Sequence, residues 1–170
     1  MEPVTIRTLQ NNDAEALLTF EMDNREWFER HIDGRGAAFY SVQGVTEHIA
    51  AYLSDYAAGT WHPFIIVDAG GKIVGRANLK DINTSARSAE IGYRIAQNAC
   101  GQGLATRAVR HLIKEAQSHW HLNQLVANVY VDNIGSAKVL ERCGFLIEPT
   151  SGQTGADQEY RFGLAIQTGK

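Results

Sequence analysis

Residues 90–115 have the sequence EIGYRIAQNACGQGLATRAVRHLIKE, and their hydrophobic period changes halfway along. Up to Ile95, apolar residues alternate with other residues, which is the period of two that predicts a β-strand. After the glycines, apolar residues recur at helical spacing with charged residues between them. The apolar positions are Ala105, Ala108, Val109, Leu112, Ile113 and Ala116. Residues 98–103, NACGQG, connect the two and are called the glycine turn below, so a strand leads through glycines into a helix.

The glycine turn predicts an anion site. The first N–H groups of a helix have no partner inside the helix, and the helix dipole adds partial positive charge there. Because Gly101 and Gly103 lack side chains, a phosphate can approach these amides closely. The alternative is a turn that only reverses the chain. Other phosphate motifs fit less well, since Thr106 stands where a dinucleotide fingerprint needs a third glycine and no Gly-Lys-Ser/Thr triplet is present.

The rest of the chain alternates between strand and helix patterns. The predicted strands are Val4–Leu9, Phe64–Asp68, Ile73–Leu79, Ser88–Ile95, Gln124–Val131, Phe145–Ile147 and Glu159–Ile166. The predicted helices are Ala14–Asp23 with cap candidates in Asn11–Asp13, Thr46–Ala58, the helix after the glycine turn, and one from the Asn133 cap to Cys143. A three-strand meander followed by crossover helices predicts an α/β (α+β) fold, with a mixed, mostly antiparallel sheet and helices on both faces.

Two segments have less regular patterns. Residues 25–43 contain Trp27, Phe28, Phe39 and Tyr40 without a steady period. These aromatics either line an acceptor pocket or close one end of the core. Residues 151–157 predict a turn-rich loop.

Composition narrows the class of protein. The chain has 170 residues, 44% hydrophobic and 21% charged, which suits one globular domain spanning residues 1–170. Its net charge of −3 argues against general nucleic-acid binding. No stretch reaches the roughly 18 apolar residues of a membrane span, and the N-terminus does not look like a signal peptide, so we expect a cytoplasmic protein.

The sequence provides weak candidates for other chemistry. Cys100 could be a nucleophile, but no base lies beside it in sequence, and Cys143 is expected to be a small buried residue. His119 and His121 flank Trp120 without a third metal ligand nearby, so no metal is predicted.

At this point the residues resemble the GNAT N-acetyltransferases. The glycine turn is similar to that family's loop for the pyrophosphate of acetyl-CoA, Gln/Arg-x-x-Gly-x-Gly/Ala; Gly101 and Gly103 match, whereas Asn98 departs. The segment EIGYRI at 90–95, and Asn133 and Ser136 followed by VLERCGF at 139–145, resemble the RimJ/RimL-type branch, which acetylates protein N-termini.

The resemblance implies a fold and a cofactor site. The strand before the glycine turn and the strand after the helix would run parallel and splay apart, and acetyl-CoA would enter the gap. No metal is implied. The implied cofactor-binding residues are Tyr93, Arg94 and Ile95 through their backbone, then Asn98, Ala99, Cys100, Gly101, Gln102, Gly103, Leu104 and Ala105 around the pyrophosphate, and Asn133 and Ser136 near the pantetheine arm.

Each candidate catalytic residue has two interpretations at this point. Many family members place a tyrosine seven residues after the Asn to protonate the leaving thiolate, and Leu140 stands there instead. By resemblance Ser136 is then the donor or an orienting group; otherwise it bonds a backbone amide in the first helical turn. Glu90 is either a general base or a solvated strand-end carboxylate. Asn133 is either a pantetheine ligand or only a helix cap.

The expected function is therefore acetyl transfer from acetyl-CoA to an amine, preferably a protein N-terminal α-amine. A small-molecule amine acetyltransferase and a non-catalytic acyl-CoA-binding module are the alternatives. A homodimer is common in this branch, although the sequence shows no interface.

Overall fold

The computed structural model describes residues 3–30, 35–131, 133–148 and 159–167. Within these ranges seven strands form one sheet in the order β1-β2-β3-β4-β5-β7-β6. The strands are β1 Val4–Thr8, β2 His62–Asp68, β3 Ile73–Asn83, β4 Ser88–Ile95, β5 Gln124–Tyr130, β6 Leu146–Ile147 and β7 Glu159–Ala165. The helices are α1 Ala14–Asp23, α2 Arg25–Glu29, α3 Val42–Ala57, α4 Leu104–Ser118 and α5 Ile134–Arg142. None of the described helices is both long and apolar enough to cross a membrane.

The predicted elements are largely confirmed, with two larger corrections at their boundaries. Helix α3 begins at Val42 rather than Thr46, because the Ser41 hydroxyl caps it by accepting from the Gly44 N–H at 2.9 Å. Strand β3 continues past the predicted end at Leu79, because after an irregularity Asn83 still pairs with Ser88 of β4. The predicted loop at 151–157 lies outside the described residues.

The start of α1 also differs from the prediction. Asp13 does not cap this helix with its side chain. Its carboxylate instead accepts from the Gln10 N–H at 2.7 Å and pairs with Arg7 at 2.8 Å. Met22 of this helix is 54% exposed, whereas its neighbour Glu21 is buried. Helix α1 therefore brings a carboxylate into the interior.

The irregular aromatic segment contains a short helix that the sequence pattern did not reveal. Trp27 and Phe28 lie on α2, and Phe39 ends a 3-10 turn spanning Ala37–Phe39. Phe28 is 7% exposed and contacts Phe20 of α1, with ring centroids 5.3 Å apart. Five residues are too few to establish a helical period, which explains why α2 was missed.

Strands β4 and β5 are the two parallel neighbours, and they pair only at one end. Strands β2, β3 and β4 form the predicted antiparallel meander. Between β4 and β5 the paired residues are Ser88 with Gln124, Ala89 with Leu125 and Glu90 with Val126. Beyond Glu90 no further pair joins the two strands in the described part of the chain, so they splay apart. We call this gap the β4/β5 opening.

Helices cover both faces of the sheet. Glu21 of α1 and His48 of α3 contact Arg76 of β3, which places these two helices on one face. Tyr93 of β4 bonds Ser136 of α5 on the other face, where α4 also packs against β3 and β4. Because side chains alternate along a strand, Tyr93 and its neighbour Arg94 project to opposite faces. The β4/β5 opening therefore lies between the α1/α3 face and the α4/α5 face of the sheet.

Candidate active site

The glycine turn takes a conformation that requires its glycines. Gly101 and Gly103 have φ angles of 79° and 77°, in the left-handed region that side chains disfavour. Gly103 is the N-cap of α4, and its carbonyl accepts a hydrogen bond from the Arg107 N–H at 3.1 Å. A Cβ added to Gly101 would meet no atom within 4 Å. The N-terminus of α4 therefore faces open space rather than packed protein.

That open space is a cavity of about 630 Å³ on the α4/α5 face. It contains eleven of the predicted cofactor residues in its lining: Tyr93, Arg94, Ile95, Ala99, Cys100, Gly101, Gly103, Leu104, Ala105, Asn133 and Ser136. Asn98 and Gln102, also predicted, do not line it. Asn98 lies in the middle of a 3-10 turn, Gln97–Ala99, and Gln102 precedes the cap.

The sequence interpretation missed several residues of this cavity. They are Trp27, Phe28, Thr106, Ile134, Gly135 and Val139. Arg142 also lines it, and this helix-face cation was a sequence candidate for the phosphates of CoA, with a solvated helix face as the alternative. Trp27 Nε1 donates to the Ile95 carbonyl at 3.3 Å, so α2 is tied to the end of β4. Of the two interpretations of the aromatics, closing the core fits Phe28, which is part of it, and Trp27 and Phe39, which pack against it. Trp27 and Phe28 also line the α4/α5 cavity, and none of the four aromatics lines the second cavity described below.

A second cavity of about 420 Å³ opens on the α1/α3 face. Its walls include Tyr52, Trp61, Asn78, Lys80 and Glu90. It shares four lining residues with the first cavity, namely Tyr93, Arg94, Asn133 and Ser136. The two cavities therefore meet at the β4/β5 opening, around the side chains of Tyr93 and Ser136.

Ser136 is held by contacts on both sides of this junction. The Tyr93 hydroxyl donates to Ser136 Oγ at 3.1 Å, and the Ser136 N–H donates to Asn133 Oδ1 at 3.3 Å. Asn133 is thus the helix cap, and the Ser136 hydroxyl does not bond a backbone amide in the described contacts. Burial raises the pKa of Tyr93, more than the Ser136 hydrogen bond lowers it, so the phenol is protonated at neutral pH. Leu140, one turn further along α5, is fully buried and lines the second cavity.

Glu90 is in the second cavity but away from Ser136. Its carboxylate lies 3.4 Å from Lys80 Nζ, and both side chains are about a quarter to a third exposed. Glu90 and Tyr93 are three residues apart, about 10 Å along the strand. They also project to opposite faces of β4. The geometry therefore gives Glu90 a cationic partner and no direct contact with the junction.

A buried charge cluster, consisting of Glu21, Arg35, Arg76 and Arg94, was not predicted. Glu21 accepts from Arg76 at 2.7 Å and from Arg94 at 2.8 Å, and it lies 3.7 Å from Arg35 Nε. Burial would raise the pKa of Glu21, but the three arginines together lower it, so the carboxylate is charged. Glu21 falls three residues after Leu18 and four after Leu17, and this position on an apolar stripe was the only local signal.

The cysteine and histidine predictions have mixed outcomes. Cys100 is exposed, its thiol donates to the Ala96 carbonyl at 3.4 Å, and partial desolvation raises its pKa, which fits an inert residue. Cys143 is half-buried rather than buried. Ligand atoms of His62, Glu115 and His119 lie within 4.8 Å of one another, a grouping that the sequence did not indicate.

His62 has neither ring nitrogen available for a metal. Trp120 Nε1 donates to His62 Nδ1 at 2.9 Å, so in the neutral ring Nε2 carries the proton and donates to Thr8 Oγ1 at 2.9 Å. The grouping with Glu115 and His119 is therefore better described as packing. The expectation of no metal stays a prediction.

Comparisons with known proteins agree with this geometry. The Acetyltransferase (GNAT) domain family matches residues 4–146. The Bacillus subtilis protein named "Probable N-acetyltransferase YjcK" is 31% identical over 144 residues, covering 84% of this chain and 80% of that protein. The ribosomal-protein-serine acetyltransferase of Escherichia coli is 31% identical over 147 residues, covering 86% and 81%. The spermidine N(1)-acetyltransferase of Vibrio cholerae is 26% identical over 149 residues, covering 85% and 80%.

Solved structures share the fold. The ribosomal-protein-S5-alanine acetyltransferase of Vibrio fischeri superposes with a TM-score of 0.89 at 23% identity, covering 97% of this chain and 94% of that one. A RimL ribosomal L7/L12 α-N-protein acetyltransferase, solved in complex with coenzyme A, has a TM-score of 0.86 at 19% identity, covering 98% and 96%.

Proposed function

The chain belongs to the GNAT acetyltransferase family and is an N-acetyltransferase, and on that premise we propose that it transfers the acetyl group of acetyl-CoA to the α-amine of a protein N-terminus. The observation that carries the proposal is the meeting of the two cavities at Tyr93 and Ser136. A thioester entering from the α4/α5 face and an amine entering from the α1/α3 face would meet at this junction.

The first cavity suits acetyl-CoA. The N–H groups at the start of α4 and the side-chain-free surface of Gly101 would receive the pyrophosphate. The edge of β4 beyond Glu90 is free of β5, so its backbone can bond the amides of the pantetheine arm as a neighbouring strand would. The Ile95 carbonyl already accepts from Trp27, which leaves Tyr93 as the main backbone partner, because the backbone groups of Arg94 face β3 in the ladder. A structural neighbour with coenzyme A bound supports this assignment.

The junction supplies a proton for the leaving thiolate. The neutral amine attacks the thioester carbon, forming the N–C bond while the C–S bond breaks, and backbone N–H groups of β4 stabilise the oxyanion. The nitrogen releases its surplus proton to water, which restores the proton that the junction gives to the thiolate. Since the Tyr93 hydroxyl donates to Ser136 Oγ, the Ser136 proton is free to point towards the sulfur. Tyr93 can then replace that proton. A thiol with a pKa of about 8.5 is a tolerable leaving group, so this acid need not be strong.

The acceptor class follows from proton chemistry and from the relatives. An α-amine has a pKa of about 7.7–8.0 and is partly neutral in the cell, whereas a lysine amine near 10.4 is almost wholly protonated. Glu90, paired with Lys80, offers little help as a base. Relatives named as ribosomal-protein acetyltransferases favour a protein N-terminus, and the relative named for spermidine keeps a small amine as the second candidate.

A peptide that carries both a free α-amine and one lysine tests the proposal. Mass spectrometry after incubation with acetyl-CoA at neutral pH should show the N-terminal product first, and an N-terminally blocked copy should react far more slowly. Preferential acetylation of lysine, or of spermidine over every peptide, would contradict a protein N-terminus as the acceptor. A cytoplasmic location, a single domain and a homodimer stay predictions.

A further inference from the structure

The floor of the second cavity is a ladder of alternate residues from β3 and β4. In register, Arg76 pairs with Arg94, Asn78 with Gly92, and Lys80 with Glu90. Because their positions alternate with the core residues, these six share one face of the sheet. The Lys80–Glu90 ion pair closes one end, and the two arginines occupy the other. Gly92 has no side chain, and the Lys80 side chain lies over it, with Nζ 3.3 Å from where a Cβ of Gly92 would be.

The end of the cavity at Arg76 and Arg94, called the arginine end below, has an excess of positive charge. Arg35, Arg76 and Arg94 share the single carboxylate of Glu21, so these four residues hold two excess positive charges. Burial and the neighbouring arginines lower the pKa of Arg94 to about 10 despite Glu21, and it remains charged at neutral pH.

His48 adds no charge to this end of the cavity. Its Nε2 accepts from Arg76 at 2.8 Å, and burial together with the three arginines lowers its pKa to about 3.

Arg35 has an unused donor at this end. Its Nε is buried and finds no hydrogen-bond acceptor among the described residues, since the nearest carboxylate oxygen, on Glu21, is 3.7 Å away. The side chain is 24% exposed, stacks on Phe39 and lines the cavity. The buried Nε is closed to the cavity, but a quarter of the side chain is exposed along it, so the guanidinium can meet an incoming anion with a charge-assisted hydrogen bond.

We propose that the second cavity binds an anionic group, a carboxylate or a phosphate, that the acceptor carries close to its reacting amine. The inference rests on the proposed function, because the amine must reach Ser136 while the rest of the acceptor lies along the second cavity beside Arg94 and Arg35. Glu159, the remaining carboxylate in the lining, is exposed at the start of β7. Polyamines, which carry only positive charge, would be repelled from the arginine end.

The experiment compares acceptors that are matched except for one anionic group. One pair of peptides carries Asp or Asn at the second position, and another pair carries Asp or Asn at the third position. Phosphoethanolamine and ethanolamine form another pair. This pair tests whether the anionic group belongs to a small amine rather than to a peptide side chain. We expect kcat/KM for each anionic member to exceed its neutral match by roughly tenfold to a hundredfold, the range for one charge-assisted hydrogen bond.

Variants of Arg35 test whether the arginine end of the cavity causes the preference for anionic acceptors. Arg35→Gln should bring the anionic acceptors down to their neutral matches, and Arg35→Lys should restore part of the difference. Lys72→Gln, which removes an exposed positive charge on the β2–β3 turn, should keep the full preference. Melting curves check that each variant is folded.

Three results would overturn the inference: equal rates within every pair, a preference that survives Arg35→Gln, or spermidine as the best acceptor. Failure of the proposed function looks different, because lysine would then be acetylated before the N-terminus, or no amine would be acetylated although acetyl-CoA binds. In that case calorimetric binding of the Asp and Asn peptides to the acetyl-CoA-loaded protein still decides the inference, with equal affinities counting against it.

Discussion

At the scale of single residues, the contacts of Ser136 separate two roles that a serine at a helix start can have. Its N–H is part of the Asn133 cap, and its hydroxyl is engaged only by Tyr93 among the described contacts. Replacing the hydroxyl therefore leaves the cap of α5 intact. A change in activity can then be attributed to the hydroxyl itself.

We expect Ser136→Ala to lower the rate of acetyl transfer by about a hundredfold, the low end for a general acid, because a thiolate leaves readily. The free energy of unfolding should fall by no more than about 0.5–1.5 kcal/mol, the loss of one hydrogen bond. Single-turnover kinetics and a denaturant melt measure the two effects. An unchanged rate with acetyl-CoA saturating would remove Ser136 from the mechanism.

Tyr93→Phe is the companion variant to Ser136→Ala. It removes the phenol that donates to Ser136 while keeping the ring that packs against the core. If Tyr93 acts through Ser136, the double variant should be about as slow as Ser136→Ala alone, because residues that work as a unit are not additive. Additive losses would mean that the two hydroxyls act separately.

Residues of the site differed in how visible they were in the sequence. The glycine turn and the Asn133–Ser136 pair are local motifs, and both line the first cavity, apart from Asn98 and Gln102. Arg76 and Arg94 are separated from Glu21 by 55 and 73 residues. Such pairing depends on which helix covers which face of the sheet, which hydrophobic period alone does not specify.

At the scale of elements, the splay of β4 and β5 creates the site, and α5 forms one side of the first cavity. Gly135 lies in the first turn of α5 and lines that cavity, and a Cβ there would meet nothing within 4 Å. Unlike Gly101 and Gly103, it has no positive φ. It is therefore the glycine at which a side chain can be added without backbone strain.

We expect Gly135→Leu to weaken acetyl-CoA binding at least tenfold while raising the stability of α5 by up to about 1 kcal/mol, because glycine is a poor helix former. Calorimetry and a thermal melt give both quantities. Gly103→Val should also abolish binding, but valine at a φ of 77° strains the start of α4, so that loss has two causes. Unaltered affinity in a folded Gly135→Leu variant would place the cofactor elsewhere.

Elements with a long, regular period were predicted well, including α1 and β4 with both ends correct. Errors fell where a cap or an irregular pairing set the boundary. Ser41 lengthens α3 at its start, and the irregular pairing near Asn83 lengthens β3. The cap and the irregular pairing both depend on hydrogen bonds, which the pattern of apolar residues does not reveal.

At the scale of the whole molecule, His62 joins parts of the chain that are far apart in sequence. On β2 it bonds Thr8 of β1 and Trp120 beyond the end of α4, and its ring stacks between Tyr56 of α3 and Phe64. Protonation of the ring would turn Nδ1 from an acceptor into a donor facing the Trp120 N–H. Burial, with smaller contributions from His119 and His111, accordingly lowers the pKa of His62 to about 4.

The low pKa of His62 predicts acid sensitivity. The unfolded chain has the ordinary histidine pKa of 6.5 and binds a proton as the pH falls through that value, whereas the folded protein does not until about pH 4. Unfolding therefore takes up protons between these values, and the free energy of unfolding should decline as the pH falls from 6.5 to 4. The contribution of this one group is at most about 3 kcal/mol.

His62→Gln tests this origin of the acid sensitivity, because glutamine offers a donor and an acceptor but does not titrate. The variant should be less stable at pH 7, since the ring stacking is lost, yet its free energy of unfolding should decline less between pH 6.5 and 4. His48, whose pKa burial and the arginines lower to about 3, accounts for part of the decline that remains. His121→Asn, at an exposed position with a φ of 55° that asparagine tolerates, serves as the control and should follow the wild-type pH profile. Parallel declines for His62→Gln and wild type would show that the acid sensitivity originates elsewhere in the molecule.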